Sequence, residues 1–297
     1  MWDIYFLLIL QKIPIMANRI LLFILTFFIF SVPRLFSQIV ELEKQKSFEE
    51  NEIKDYYNNK EPFYSLFKDN YFIFGSPINQ KPTVHNSDVK FQISLQIKIT
   101  KNVLPWNSYL YFYYSQKVFW NVLEESLPMT DLNFNPGVGI AKPLYSNGRY
   151  IGKLRLQLEH ESNGKDGDDS RSWNKVSLGT NIIVDKTLMI HAKAWIPIID
   201  GKNNKDILDY NGIYQIGTQV MSENQKWTGS MIFIKRKGWK PNYNIIAEVS
   251  YRFSKKSDWS LFAQYYCGYG EGLLKYKEHV SKIRAGIVIR PKFFSDY

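Results

Sequence analysis

The chain has 297 residues, 45% of them hydrophobic and 16% aromatic, with 20 Phe, 20 Tyr and 8 Trp. That aromatic load excludes a disordered chain and suits a β-rich protein whose surface passes from apolar to wet surroundings. A single cysteine, Cys267, rules out an intrachain disulfide framework and a cysteine-based zinc site, while 38 Lys and Arg against 28 Asp and Glu give a net charge of +10.

Residues 1–15 form an untidy leader, and Met16 opens a cleaner export signal, MANRILLFILTFFIFSVPRLFSQ. Arg19 supplies the positive charge, residues 20–32 an apolar run too short to span a bilayer comfortably as a helix, and Ser37 a small residue before a cleavage point. A signal peptide is therefore expected over 1–37, with Met16 as a possible true start; a short membrane anchor is the competing reading. Cleavage removes Lys12, Arg19 and Arg34 with Asp3, a net of +2, and leaves +8 on the mature chain. Such a chain suits anionic lipid head groups, and export disfavours nucleic acid as a partner. Residues 38–68, charged and poor in branched apolar side chains, read as a periplasmic N-terminal arm, and 69–297 as the main domain.

From about Tyr71 the chain becomes a succession of segments alternating with period two, separated by clusters of Gly, Asn, Asp, Lys and Pro. The alternation predicts strands near 71–77, 89–101, 107–117, 132–142, 149–162, 172–183, 187–199, 210–220, 227–236, 243–253, 258–269 and 280–291. In KLRLQLEH, Leu154, Leu156 and Leu158 share one parity and Arg155, Gln157 and Glu159 the other. In NKVSLGTNII, Val176, Leu178 and Ile182 alternate against Lys175, Ser177 and Asn181. Each strand thus has one apolar and one polar face. A soluble sandwich or a lipocalin-like fold shows the same alternation. Export, the strand lengths, the charge on one face and aromatics near segment ends (Trp106, Tyr109, Trp120, Trp173, Trp195, Trp227, Trp239, Trp259) favour an outer-membrane β-barrel, as does the terminal Tyr297. Lumenal Arg155, Gln157 and Glu159 are then expected to form a hydrogen-bonded interior that argues against an open channel.

None of His85, His160, His191 and His279 begins an H-E-x-x-H zinc motif, and no serine sits in a G-x-S-x-G elbow, so neither a zinc protease nor an α/β-hydrolase is supported. The segment LEHESNGKDGDDSRSWNKV, residues 158–176, is the unusual one. His160 and Ser162 continue the apolar Leu154, Leu156, Leu158 row, and Asn174 opens the Val176, Leu178 row, so parity puts all three on the lipid-facing side. An imidazole, a hydroxyl and a carboxamide are costly there unless they bond to one another. Serine needs a base to act as a nucleophile, histidine supplies it, and an asparagine carbonyl oxygen can fix the imidazole tautomer. A polar strand end at the aqueous rim, followed by a loop of solvated charges, is the other reading of the same residues. The acidic run Asp166, Asp168, Asp169 lacks the ligand spacing and terminal Glu of an EF-hand and reads as solvated loop.

These residues resemble the active-site signature of the outer membrane phospholipases A: a His, a Ser two residues later followed by Asn-Gly, then Ser-Arg-Ser-Trp-Asn. Here they are His160, Ser162-Asn163-Gly164 and Ser170-Arg171-Ser172-Trp173-Asn174, with matching spacing. The likeness extends through Tyr114-Ser115-Gln116, Glu124-Glu125-Ser126-Leu127-Pro128 and Asn133-Phe134-Asn135-Pro136. It continues in Asp206-Ile207, Tyr210-Asn211-Gly212-Ile213-Tyr214-Gln215 and Gly268-Tyr269-Gly270-Glu271-Gly272-Leu273. Glu161 and Phe134 stand where the best-known members have Gln and Tyr, and Gln116 fits either the lumen or a dimer interface.

The resemblance implies an all-β, 12-stranded antiparallel transmembrane β-barrel of the bacterial outer membrane. It implies a calcium-dependent phospholipase of A1/A2 type, acting on the acyl esters of phospholipids and lysophospholipids and active as a homodimer. By the same resemblance Ser162 is the nucleophile, His160 the general base, Asn174 the group that orients it, and the Gly164 backbone N–H the oxyanion donor. Ca2+ ligands map to the Ser170 hydroxyl, the Lys165 carbonyl and Ser126 of the partner subunit, while Asn203 stands where a second calcium contact would be an aspartate. Two other functions stay open: a non-catalytic barrel, either pore or structural, and an acyltransferase that passes the acyl group to an acceptor other than water.

Overall fold

The computed structural model describes residues 64–290, apart from 102, 147–148, 201 and 255–256; the expected signal peptide, most of the expected arm and the terminal Tyr297 lie outside these residues. One sheet contains β1 (Tyr64–Leu66), β2 (Asn70–Pro77), β3 (Asp88–Lys98), β4 (Tyr109–Trp120), β5 (Met129–Ser146), β6 (Arg149–Ser162) and β7 (Ser172–Ile183). It continues with β8 (Leu188–Asp200), β9 (Tyr214–Met221), β10 (Trp227–Lys235), β11 (Tyr243–Tyr251), β12 (Trp259–Gly268) and β13 (Val280–Ile289). The hydrogen-bonded order runs β1-β3-β2-β13 and then stepwise down to β4, which pairs back with β3, so the sheet closes on itself. β1 and β2 lie end to end along the same edge of β3: Leu66 faces Leu95, and Tyr71 faces Gln92. Together they make one stave, interrupted at 67–69, of a closed 12-strand antiparallel barrel. Closure leaves no open sheet edge, the condition for carrying strands through lipid.

The strands fall where the alternation put them to within about four residues at their ends, β5 running from 129 to 146 against the expected 132–142, and two differences have a local cause. The sheet reaches into the segment read as an arm, because β1 is too short to show a period in the sequence. The strand expected from 210 starts instead at Tyr214: Leu208–Asn211 winds into one helical turn, which Gly212 ends at φ +90. The Ile213 N–H then bonds the Lys235 carbonyl at 2.8 Å and the ladder with β10 begins.

Leu154, Leu156, Leu158, Val176 and Leu178 are exposed, whereas Arg155, Gln157, Glu159 and Ser177 are buried. The apolar face therefore looks outward and the polar face fills the lumen, the inverse of a soluble barrel. No helix among the described residues is long and apolar enough to cross a membrane. The aromatic expectation holds for Trp106, Trp227, Trp239 and Trp259, which are exposed at strand ends or on loops. It is corrected for Tyr109, Trp173 and Trp195, whose parity turns them into the lumen. There the indole N–H groups find acceptors, Glu161 Oε2 at 3.1 Å for Trp173 and the Gly212 carbonyl at 2.9 Å for Trp195, and the Lys175 ammonium lies over both rings.

The described residues of loops 78–87, 121–128, 163–171, 201–213, 236–242 and 269–279 gather at one end, and those of 99–108, 184–187, 222–226 and 252–258 at the other. The longer set marks the cell exterior. Loop 269–279 folds back into that mouth: the Leu273 N–H bonds Asn133 Oδ1 at 3.0 Å, and the Leu274 N–H bonds Asp131 Oδ2 at 2.9 Å. Leu273 and Tyr276 pack with Trp173, Trp195 and Ile207. Toward the opposite end Phe67 stacks on Tyr113 with ring centroids 4.1 Å apart, beside Tyr109 and Tyr111. Between the clusters remains a cavity of about 210 Å³ lined by charged and aromatic side chains.

Candidate active site

The outer face of the β6–β7 pair carries the unusual segment. His160 and Asn174 are direct partners across the ladder, and Ser162 faces Ser172 on β7 and Phe134 on β5. His160 Nδ1 lies 2.9 Å from Asn174 Oδ1. An amide oxygen can only accept, so this bond keeps the proton on Nδ1 and leaves Nε2 free to act as a base. Ser162, two residues on, projects from the same face. Its hydroxyl has no hydrogen-bond partner among the described residues.

On the lumenal side, the same two strands are tied by charge. Glu161 Oε2 accepts from the Trp173 indole at 3.1 Å and from Lys175 Nζ at 3.2 Å. Glu159 accepts from the Ser177 hydroxyl on β7 and pairs with Lys193 on β8 at 2.7 Å. Alternating parity thus sends the ion pairs inward and the His-Asn pair outward.

Loop 163–171 is organised by Asn163, which is buried. Its N–H bonds the Arg171 carbonyl at 3.0 Å, its Oδ1 accepts from the Arg171 N–H at 2.9 Å, and its Nδ2 donates to the Asp169 carbonyl at 2.8 Å. The tight turn puts Gly164 at φ +66, and a Cβ there would come within 2.8 Å of the Phe134 ring, so glycine is demanded twice over. The Gly164 N–H has no partner among the described residues and is free to donate.

Most carbonyls of this loop are already engaged. Arg171 Nη1 donates to the carbonyls of Asp168 at 2.6 Å and Ser170 at 2.9 Å. From the neighbouring loop, Asn203 Nδ2 donates to the carbonyls of Gly167 at 2.7 Å and Ser170 at 3.4 Å. Asn204 brackets Ser172, accepting from its N–H at 3.2 Å and donating to its carbonyl at 3.0 Å. The Lys165 carbonyl and the Ser170 hydroxyl have no partners among the described residues, so they remain available to a hard cation. Asn203 does not fit that role, since it turns an amide donor toward the loop. Asp166, Asp168 and Asp169 are exposed, and no group of three His, Cys, Asp or Glu among the described residues is placed to hold a metal. Ser126 is exposed on loop 121–128, at the same mouth of the barrel.

The remaining candidates fall elsewhere. Gln116 lies on the outer face, facing Phe134, and accepts from the Tyr114 hydroxyl at 3.0 Å. His191 is buried in the lumen, His85 pairs with Glu124 at 2.9 Å, and His279 lies beside Cys267. The bracing roles of Asn163 and Asn204 have no signal in the sequence. An asparagine that bonds the main chain of a distant loop leaves no periodic trace in the sequence.

Fold and site together define a class: an outer-membrane β-barrel with a Ser, His and Asn set on its lipid-facing surface. Residues 36–289 match the family model described as Phospholipase A1, and the chain belongs to that family. The phospholipase A1 of Salmonella typhimurium is 28% identical over 229 residues, covering 73% of this chain and 75% of the relative. Among solved structures, the outer membrane phospholipase A from Escherichia coli superposes with a TM-score of 0.67 at 24% identity, covering 77% of this chain and 99% of that one. The Salmonella typhi outer membrane phospholipase, a dimer with bound calcium, gives 0.68 at 24% identity, covering 79% and 95%.

Proposed function

We propose that this chain is a calcium-dependent outer-membrane phospholipase that hydrolyses acyl esters of phospholipids and lysophospholipids, active as a dimer. The observation that carries the reading is the His160–Asn174 bond of 2.9 Å on the lipid-facing surface, with Ser162 next along the row. Asn174 holds the Nδ1 tautomer, so Nε2 of His160 takes the Ser162 proton as the hydroxyl attacks the ester carbonyl, and returns a proton to the leaving alkoxide. The unpaired Gly164 N–H offers a donor to the developing oxyanion. The free Ser162 hydroxyl suits an apo site in which the bond from nucleophile to base tightens once lipid excludes water.

Calcium fits the Lys165 carbonyl and the Ser170 hydroxyl, with Ser126 of the partner subunit as the third protein ligand, and it would supply positive charge to polarise the ester carbonyl. The calcium-bound dimer of the Salmonella typhi protein supports both proposals. A substrate held in the outer leaflet reaches this face directly, without entering the plugged lumen.

The test is fatty-acid release by the refolded protein in detergent, with calcium or with chelator, and with Ser162→Ala in parallel. Release that needs both calcium and Ser162 is the expected result. Absence of release from a folded, crosslinkable dimer would overturn the hydrolase in favour of a non-catalytic barrel. Transfer of the acyl group to an added alcohol in preference to water would identify an acyltransferase.

A further inference from the structure

The ladder between β5 and β6 has a gap beside the site. Phe134 pairs with Ser162 and Gly137 with Glu159, but no pair forms between them, where the register sets Pro136 opposite His160. Proline has no N–H, so the His160 carbonyl loses the main-chain donor that any other residue at 136 would offer it. Asn135 fills the vacancy: its side chain is nearly buried on the lumenal face, and its Nδ2 donates to the His160 carbonyl at 2.8 Å.

We propose that Asn135 is a positioning residue for His160, its carboxamide replacing the missing Pro136 N–H and fixing the β6 main chain on the flank that β7 does not hold. Without it, the His160 carbonyl has no donor on the β5 side. The imidazole projects from this stretch of main chain, so a small drift of β6 changes the line from Nε2 to Ser162. Asn135 acts through the sheet from its lumenal side and is out of reach of a substrate in the lipid. The inference rests on His160 being the general base.

A double-mutant cycle tests it, with wild type, Asn135→Ala, Pro136→Ala and the double variant compared for fatty-acid release. With Pro136 present, Asn135→Ala is expected to lower kcat about tenfold with KM little changed, and Asn135→Asp, which has lost the N–H donor, should behave alike. On the Pro136→Ala background, where the restored main-chain N–H can complete the ladder, the same Asn135→Ala change should cost less than about twofold in kcat. Equal losses on both backgrounds would assign Asn135 to lumenal packing and overturn the proposal, as would an unchanged kcat on the Pro136 background. If wild type releases no fatty acid, the hydrolase reading itself fails. The cycle is then read in amide hydrogen exchange of β5 and β6, faster in Asn135→Ala on the Pro136 background only. Exchange that rises equally on both backgrounds would again overturn it.

Discussion

Asn174 gives His160 an uncharged partner at a surface where charge is costly. A carboxylate would bond Nδ1 more strongly, but at the lipid-facing edge of β7 it would add a poorly solvated charge. A carboxamide oxygen fixes the same tautomer at 2.9 Å without one. We therefore expect Ser162→Ala to abolish hydrolysis, His160→Ala to lower kcat by about 10²–10⁴-fold, and Asn174→Ala to lower it less, all with unchanged heat-modifiability on gels. Asn203 Nδ2 links two loops by donating to the carbonyls of Gly167 and Ser170. An aspartate would set a carboxylate against two carbonyl oxygens, an arrangement that only a cation relieves. In Asn203→Asp, loop 163–171 should exchange amides faster than wild type in chelator and regain protection with calcium; protection insensitive to calcium would refute this. The outward placement of His160, Ser162 and Asn174 could be read from parity, because a strand's period is 2 and β6 pairs with β7 in unbroken register from Gly152 to Ser162. The contacts of Asn135, Asn163 and Asn204 could not, since each bonds the main chain of a segment whose position is set by the closed barrel.

Among the elements, strands were the readable part and loops were not. The strands that bury alternate residues against the lumen and offer the others to lipid, β5 to β8 and β12 most clearly, must alternate in sequence. Loops carry no such constraint, and loop 201–213 illustrates the difference: one helical turn ended by Gly212, then a link to the plug loop 269–279. In that link Asp206 accepts from the Tyr276 hydroxyl and pairs with Lys277 at 2.7 Å. Burial pushes the Asp206 carboxyl up, but the bonds from Lys277 and Tyr276 outweigh it and hold the group below its ordinary value. A depressed acid stabilises the fold above its unfolded pKa, about 3.9, and the contribution disappears as pH falls through the lower folded value. Amide exchange in 201–213 and 269–279 should therefore rise only below about pH 4 in wild type. In Asp206→Asn it should already be raised at neutral pH, without the acid step. Since the same loop carries Asn203 and Asn204, that variant should also lose activity by about two- to fivefold, measured as fatty-acid release.

The molecule as a whole sets its buried ion pairs in the lumen and the His160–Asn174 pair on the outer face, and the lumen bears on the choice between enzyme and pore. Glu271, carried into the barrel mouth by loop 269–279, bonds Lys90 Nζ at 3.0 Å and Arg284 Nη1 at 2.7 Å, and all three are buried. Removing one member of a buried ionic set leaves charge without compensation, a loss of roughly 3–5 kcal/mol. The low end applies here, because Arg284 keeps Asp88 at 2.6 Å and Lys90 keeps Gln264 Oε1 at 2.7 Å. Glu271→Ala should thus destabilise the barrel by about 3 kcal/mol, seen as a lower thermal transition in detergent. The same substitution unfastens the plug, since the Leu273 and Leu274 bonds to Asn133 and Asp131 sit immediately after it. In a planar bilayer the wild type should show no steady conductance, and Glu271→Ala should show intermittent openings. A wild type that conducts steadily would mean that the lumen is open in the membrane, and the pore would then regain its place as a function of this chain.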